Sequence, residues 1–179
     1  MKESRVIDLF KENIKFSKNN IIACKCNNEI KSLDFVVKDG DNIELIDITD
    51  KDGMRIYVRG ILYIMAMAFN RLYPDAFLSV NYQLSNAMFC EVTNMNVTES
   101  MLQKVKTEMK NIIDQDFQIK KVIMDKKEAE EFYDKENTIR GRLQVENKEK
   151  NTVSLYFCEE YYNYFYGVMP ISTGYIKLF

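Results

Sequence analysis

The chain has 179 residues, a formal net charge of −2, and neither histidine nor tryptophan. Its pI of about 5.4 is far below the basic values of chains that bind nucleic acid over a broad surface, which leaves room only for a local basic patch. The absence of histidine excludes Ser-His-Asp and Cys-His nucleophile chemistry and every histidine-ligated zinc site. An enzyme with this sequence would have to use carboxylate, Lys, Tyr or Cys side chains, or a bound cofactor.

The hydrophobic segments are too short to predict a membrane helix. The longest uncharged apolar stretch, Gly60 to Phe69, is about half of the ~20 residues that a span needs. No hydrophobic signal region follows Met1, so we expect a cytoplasmic protein without a membrane partner. In that compartment we expect reduced, structural thiols at the four cysteines, Cys24, Cys26, Cys90 and Cys158.

The first fifty residues predict a small unit that mixes helix and strand. Apolar side chains along one stripe indicate an amphipathic helix over residues 4–17. Strands are predicted over 21–26, 34–37 and 43–47, and the polar stretch 38–41 predicts a turn between the last two.

The remainder predicts a second unit of the same class. A helix over residues 54–72 is apolar on nearly every face, and Pro74 ends it. Further elements are strands over 77–82, 87–92 and 117–124, and helices over 99–115, with Thr98 as N-cap, and 126–133. Residues 134–151 are polar and predicted to be mobile, and the chain from 152 onward is strand-like. The patterns favour an α+β fold of two modules that divide near residues 49–53.

An unusual run of aromatic residues extends from Tyr156 to Tyr166. On a strand, Tyr162, Tyr164 and Tyr166 would share one face and offer rings that suit stacking on a base or a sugar. Alternatively, the rings of this run pack under the long helix and fill the core.

Several motifs, in their order along the chain, resemble the second additional domain of threonyl-tRNA synthetase, which alanyl-tRNA synthetases and free-standing editing proteins share. They are R-L-Y-P-D-A at 71–76, S-N-A-M-F-C-E at 85–91, T-E-S-M-L at 98–102, D-K-K-E-A at 125–129 and P-I-S-T-G at 170–174. The preceding part, with D-G-D at 39–41, resembles a TGS domain. The resemblance implies a partial β-grasp (TGS-like) module over 1–50, shortened at its N-terminus. It also implies an editing-like domain over 51–179, with a long buried helix packed on an antiparallel sheet.

Departures from the family pattern remove its catalytic and metal-binding groups. Counting from the motifs, the two helical histidines of the family fall on Arg59 and Tyr63, and its C-x-x-x-H pair falls on Phe165 and Met169. None of these side chains can take over the role, so the resemblance implies neither a catalytic residue nor a metal site. It implies a degenerate cleft, open to a nucleoside or RNA ligand, with the candidate residues Arg59, Tyr63, Tyr164, Phe165, Tyr166 and Met169. A charge on an apolar helix needs a partner, so Arg59 meets either such a ligand or a protein carboxylate.

A closer resemblance is to the N-terminal region of bacterial uridine kinase-like proteins, in which TGS and synthetase-like domains precede a P-loop kinase. It rests on Y-Y-N-Y-F-Y-G at 161–167, P-I-S-T-G-Y at 170–175 and D-G-M-R-I-Y at 52–57. It implies a non-catalytic accessory part without a cofactor, joined in cis to a nucleoside kinase domain that uses ATP and Mg²⁺ beyond Phe179.

Two other functions are open. The degenerate cleft could act as a nucleoside or RNA sensor. A hydrolase could use Cys90 or Cys158 as nucleophile, although no histidine is present to activate either thiol.

Overall fold

The fold is taken from a computed structural model and is described for residues 3–84, 87–135, 139–146 and 148–179, without the side chains of 82–84, 139 and 140. Every strand pair in these ranges is antiparallel, and helices pack beside the sheets, which confirms the α+β class. None of the helices in these ranges combines the length and apolar character of a membrane span.

The first part folds around a small antiparallel sheet. Its elements are β1 (Ser4–Arg5), α1 (Val6–Leu9), α2 (Lys11–Phe16), β2 (Ile21–Cys26), β3 (Glu29–Lys31), β4 (Val36–Val37) and β5 (Ile43–Asp47). Strand β2 is central between β3 and β5, and β1 pairs with β4. The prediction of one helix over 4–17 is wrong at its start, because Ser4 and Arg5 form β1 and pair with β4. Strand pairing between β1 and β4 therefore outweighs the local helical pattern at these two residues.

The long helix α3 (Lys51–Leu72) lies at the centre of the largest core. Asp50 caps its N-terminus by accepting hydrogen bonds from the N–H groups of Asp52 and Gly53. The helix packs against β2 and β5, and its buried side chains share one cluster with Ile22 and Ile46 of those strands. The predicted division into modules near residue 50 stays a prediction, and this cluster crosses it.

The second part contains a hairpin, a three-stranded sheet and three helices beside them. The elements are β6 (Leu78–Leu84), β7 (Ala87–Val92), α4 (Glu99–Asp114), β8 (Lys120–Asp125), α5 (Lys126–Lys135), α6 (Ile139–Glu146), β9 (Thr152–Cys158), β10 (Tyr161–Asn163) and a 3₁₀ turn (Thr173–Tyr175). Strand β9 is central between β8 and β10, and α4 packs on α3. The predicted cap at Thr98 is confirmed, since its hydroxyl accepts a hydrogen bond from the N–H of Met101.

Part of the segment predicted to be mobile, residues 139–146, forms the unpredicted helix α6, and the mobility itself stays a prediction. The helix is held by Val145, which is fully buried in a small cluster of α5, α6 and β9. We call this cluster, made of Ala129, Tyr133, Val145, Val153 and Leu155, the peripheral core. Together with the contact of Gly141 with the Tyr133 ring, this burial stabilises a short helix through tertiary packing.

Candidate functional site

The aromatic run does not form the continuous strand that its pattern predicts. Strand β10 ends at Asn163, whose side-chain oxygen accepts a hydrogen bond from the N–H of Tyr164. Tyr162, Tyr164 and Tyr166 therefore do not share one strand face. Tyr162 packs against Phe132 and Phe157, whereas Tyr166 is 85% exposed. The alternative of packing under the long helix is correct for Tyr156, Tyr161 and Phe165, which join the cluster of that helix, and a ligand role stays open for Tyr166.

Tyr63 lies in the core behind the predicted cleft. Its hydroxyl is 3.1 Å from the carbonyl oxygens of both Tyr156 and Tyr161, and its ring meets Tyr161 and Phe165 edge to face. Burial raises the pKa of the Tyr63 phenol far above its usual range, so the group stays neutral. Met169 is equally buried. Neither side chain is exposed to solvent, and a direct contact with a ligand stays a prediction for both.

Arg59 is half-buried and lies against the turn at Gly167. Its Nη1 donates a hydrogen bond of 2.6 Å to the carbonyl of Val168. A Cβ on Gly167 would lie 3.0 Å from the guanidinium carbon, and the φ of +92° at this position also favours glycine. The hydroxyl of Tyr156 donates to the carbonyl of Gly167 over 2.5 Å. The turn is thus fixed by two side chains, and Arg59 is one of them.

The electrostatics of Arg59 are unusual for a half-buried cation. Burial lowers its pKa, while the Tyr156 phenol and, more weakly, Asp52 act in the opposite direction. Within the described ranges no carboxylate oxygen lies within 4.0 Å of its guanidinium. The predicted alternative of an ion pair with a protein carboxylate is therefore not found there. The turn that binds the guanidinium supplies a carbonyl dipole and no negative charge.

The six candidate residues divide into three groups. Arg59 contacts the turn at Gly167, which comes directly after Phe165 and Tyr166 in the chain, whereas Tyr63 and Met169 are buried in the core. Tyr164 instead packs on the peripheral core, with its hydroxyl 3.1 Å from Nζ of Lys148. The motif comparison did not reveal the part played by Gly167. A single glycine directly after an aromatic run was the available signal.

A small cavity next to Tyr161 was not predicted by any motif. Its volume is about 70 Å³, and it lies between the C-terminal half of α3, β10 and α6. Two buried polar atoms of lining residues, the hydroxyl of Tyr133 and Oε1 of Gln144, have no hydrogen-bond partner among the described residues.

The Cys158 thiol is not activated as a nucleophile. Burial raises the pKa of the Cys158 thiol to about 11, which disfavours the thiolate that a nucleophile requires. Cys90 is partly buried, with its sulfur 3.8 Å from the carbonyl oxygen of Met88. In the described part of the chain, no three His, Cys, Asp or Glu side chains are grouped so as to hold a metal ion.

Comparison with known proteins finds similarity to threonine–tRNA ligases. The chain is 27% identical over 158 residues to the ligase of Desulforamulus reducens, which covers 87% of this chain and 25% of the ligase. It is also 27% identical over 160 residues to the ligase of Acetivibrio thermocellus, which covers 88% of this chain and 25% of that ligase. With the ligase of Oceanobacillus iheyensis the identity is 27% over 164 residues, which covers 90% of this chain and 25% of that ligase. The chain thus spans about a quarter of the length of these relatives. It matches no family model.

These similarities support a domain derived from a tRNA synthetase, in agreement with the motif order. They extend over nearly nine-tenths of the chain and so include both predicted modules. The kinase resemblance stays a prediction, because the relatives named here are all ligases.

Proposed function

We propose that this chain is a synthetase-derived binding module whose degenerate editing cleft holds the end of a single-stranded RNA, or a nucleotide with the same base and phosphate. The observation that carries the proposal is Arg59, a half-buried cation without a carboxylate partner in the described structure. Similarity to threonine–tRNA ligases supports an RNA-related ligand, and the lost histidines favour binding without catalysis.

The chemistry of Arg59 suits a phosphate. A guanidinium has five N–H donors in a planar fork, and the bond to Val168 uses only one. Phosphate oxygens accept such bonds in pairs, and charge-assisted pairs of this kind are about twice as strong as neutral hydrogen bonds. A bound phosphate would also neutralise a charge that burial has made costly.

Tyr166 supplies a complementary surface for a base. Its ring is 85% exposed and directly precedes Gly167, against which the guanidinium of Arg59 lies. Exposed aromatic rings beside a cation are typical of sites for single-stranded nucleic acid, where stacking contributes about 1–3 kcal/mol per base. Phe165 packs on Tyr63 and so anchors the segment that presents Tyr166.

The net charge of −2 limits the expected affinity and its salt dependence. One cation that neutralises one phosphate of a single strand gives a slope of about −0.7 in a plot of log K against log salt concentration. We therefore expect weak binding with a shallow salt dependence, unlike that of a broadly basic protein.

Titration with the RNA trinucleotide CCA, followed by amide chemical shifts, tests the proposal. We expect Arg59→Met and Tyr166→Ala each to weaken binding at least fivefold. Arg55→Met is the matched control, because Arg55 is exposed one turn earlier on α3 and is paired with Asp52. A folded wild-type chain that does not bind at millimolar trinucleotide would overturn the proposal, as would equal weakening by the control.

A kinase-associated role would rest on different evidence. The P-loop domain in cis, ATP and Mg²⁺ are implied by motif resemblance alone, and they are compatible with a nucleotide in the same cleft. The reading frame after Phe179 decides this prediction: it requires a strand followed by Gly-x-x-x-x-Gly-Lys-Ser/Thr.

A further inference from the structure

The cavity next to Tyr161 has the composition of a binding site for a neutral, planar group. Among the described residues, the walls combine aromatic rings with side-chain amides and contain no charged side chain. The lining residues are Ala66, Phe69, Asn70, Pro74, Ala76, Leu78, Tyr133, Gly141, Gln144, Tyr161, Tyr162 and Asn163. Asn70 and Pro74 are exposed, so the cavity reaches the surface between them. An uncharged lining disfavours phosphates and carboxylates, whose burial would require a compensating charge.

Two polar atoms of the lining lack partners within the described structure. The Tyr133 side chain belongs to a residue that is only 3% exposed, yet its hydroxyl makes no hydrogen bond there, and neither does Oε1 of Gln144. Buried polar groups in folded proteins are nearly always hydrogen-bonded, so two such atoms beside one cavity indicate that something else satisfies them.

The position of Tyr133 is fixed tightly. A Cβ on Gly141 would lie 2.2 Å from a ring carbon of Tyr133, so the backbone of α6 rests directly on the ring. The ring is further enclosed by Phe132, which it meets edge to face. The hydroxyl therefore has little freedom to turn away from the cavity and find a partner elsewhere.

The two atoms have complementary requirements. Oε1 of Gln144 can only accept, so it needs an N–H or O–H donor, whereas the Tyr133 hydroxyl can donate to a carbonyl. A cyclic amide, or lactam, presents an N–H and a C=O on adjacent atoms of one flat ring. We propose that this cavity binds the lactam edge of a neutral heterocycle such as a nucleobase, between Gln144 and Tyr133.

The size of the cavity determines how much of the ligand it can hold. A water molecule occupies about 30 Å³ of liquid, so 70 Å³ takes about two waters or the polar edge of one ring. The rest of the ring would lie at the mouth, beside the aromatic side chains. This cavity is not lined by Arg59, so its proposed ligand can be tested independently of the RNA ligand proposed for Arg59 and Tyr166.

The test uses 2-pyridone, which has one N–H and one C=O in the required arrangement, and N-methyl-2-pyridone, which lacks the donor. We expect 2-pyridone and uracil to shift the amide resonances of residues 161–163 at millimolar concentration, and the N-methyl compound to bind at least tenfold more weakly. Tyr133→Phe and Gln144→Met should each reduce 2-pyridone binding at least tenfold.

Tyr175→Phe is the matched control, since it removes a phenol hydroxyl from a residue that does not line the cavity. Circular dichroism and thermal melting establish that each variant is folded; Tyr133→Phe conserves the ring and should be at least as stable as wild type. Failure of both lactams to bind the folded chain would mean that water alone fills the cavity and would overturn the proposal. Equal binding of the N-methyl compound, or unchanged binding by both cavity variants, would overturn it as well.

Discussion

Arg59 and Tyr63 lie one helical turn apart on α3, yet the structure gives them different environments. Tyr63 is fully buried and bonded to backbone carbonyls, whereas Arg59 reaches the turn at Gly167 and stays half exposed. The motif comparison placed both residues at one cleft, because a spacing of four puts them on one helix face. It could not rank their exposure, which depends on how the segment 164–169 covers the helix.

At the residue scale, we expect stability to be flat between pH 6 and 8 and to fall above pH 9. No histidine titrates near neutrality. Burial raises the pKa of the Cys24 and Cys158 thiols to about 11 and that of the Tyr156 phenol to about 12. The unfolded chain therefore loses these protons at lower pH than the folded chain, so rising pH favours unfolding.

Urea unfolding under reducing conditions at pH 6, 8, 9.5 and 10.5, followed by circular dichroism, measures this effect. Tyr156→Phe should make the alkaline decline shallower, because it removes one of the buried groups whose pKa is raised. An unfolding free energy that stays constant up to pH 10.5 would contradict the assignment of these groups as buried and protonated.

At the element scale, the sequence pattern predicted a helix correctly where the residues of that helix include its apolar pattern and a residue that starts or ends it. Helix α3 is apolar on most faces and is ended by Pro74, and α4 has a capping threonine at its start. The pattern failed for α6, whose surface is largely polar and which is held by the burial of Val145 and by the contact of Gly141 with the Tyr133 ring. It also extended β10 too far, because strand alternation continues through the aromatic run while the side chain of Asn163 bonds to the next N–H.

The N-cap of α3 gives a prediction at this scale. Asp50→Ala removes the carboxylate that accepts from the N–H groups of Asp52, at 2.7 Å, and Gly53, at 3.4 Å. We expect a loss of about 1 kcal/mol in the free energy of unfolding. Asp50→Asn keeps the accepting oxygen and should lose only a few tenths of a kcal/mol. Equal losses for the two variants in urea denaturation would show that the cap does not stabilise the helix.

At the scale of the whole molecule, the segment 170–176 joins the parts of the fold. Thr173 is fully buried; its hydroxyl donates to the carbonyl of Ile112 in α4 and accepts from the N–H of Phe117. Close by, Gly174 and Ser172 both bond to the carboxylate of Asp116. We call the bonds of Ser172, Thr173 and Gly174 to residues 112–117 the clasp. The P-I-S-T-G motif suggested a family likeness, but the clasp joins residues more than fifty positions apart, and a local sequence pattern does not reveal such contacts.

The clasp gives a prediction for global stability. Thr173→Val keeps the shape but leaves the carbonyl of Ile112 and the N–H of Phe117 without their partner, so we expect a loss of about 2–4 kcal/mol. Thr173→Ser keeps the hydroxyl, gives up one methyl group and should lose about 1 kcal/mol. Chemical denaturation that ranks Thr173→Ser as the less stable variant would contradict this role.

The central claim is that Arg59 serves a ligand as well as the turn at Gly167. The most direct measurement compares, on the same samples, the dissociation constant for CCA and the free energy of unfolding for wild type, Arg59→Lys and Arg59→Met. We predict that Arg59→Lys, which keeps the charge but not the planar fork, weakens binding less than Arg59→Met while the two have similar stability. Unchanged affinity in both variants, with only stability reduced, would contradict the claim and make Arg59 a purely structural clamp.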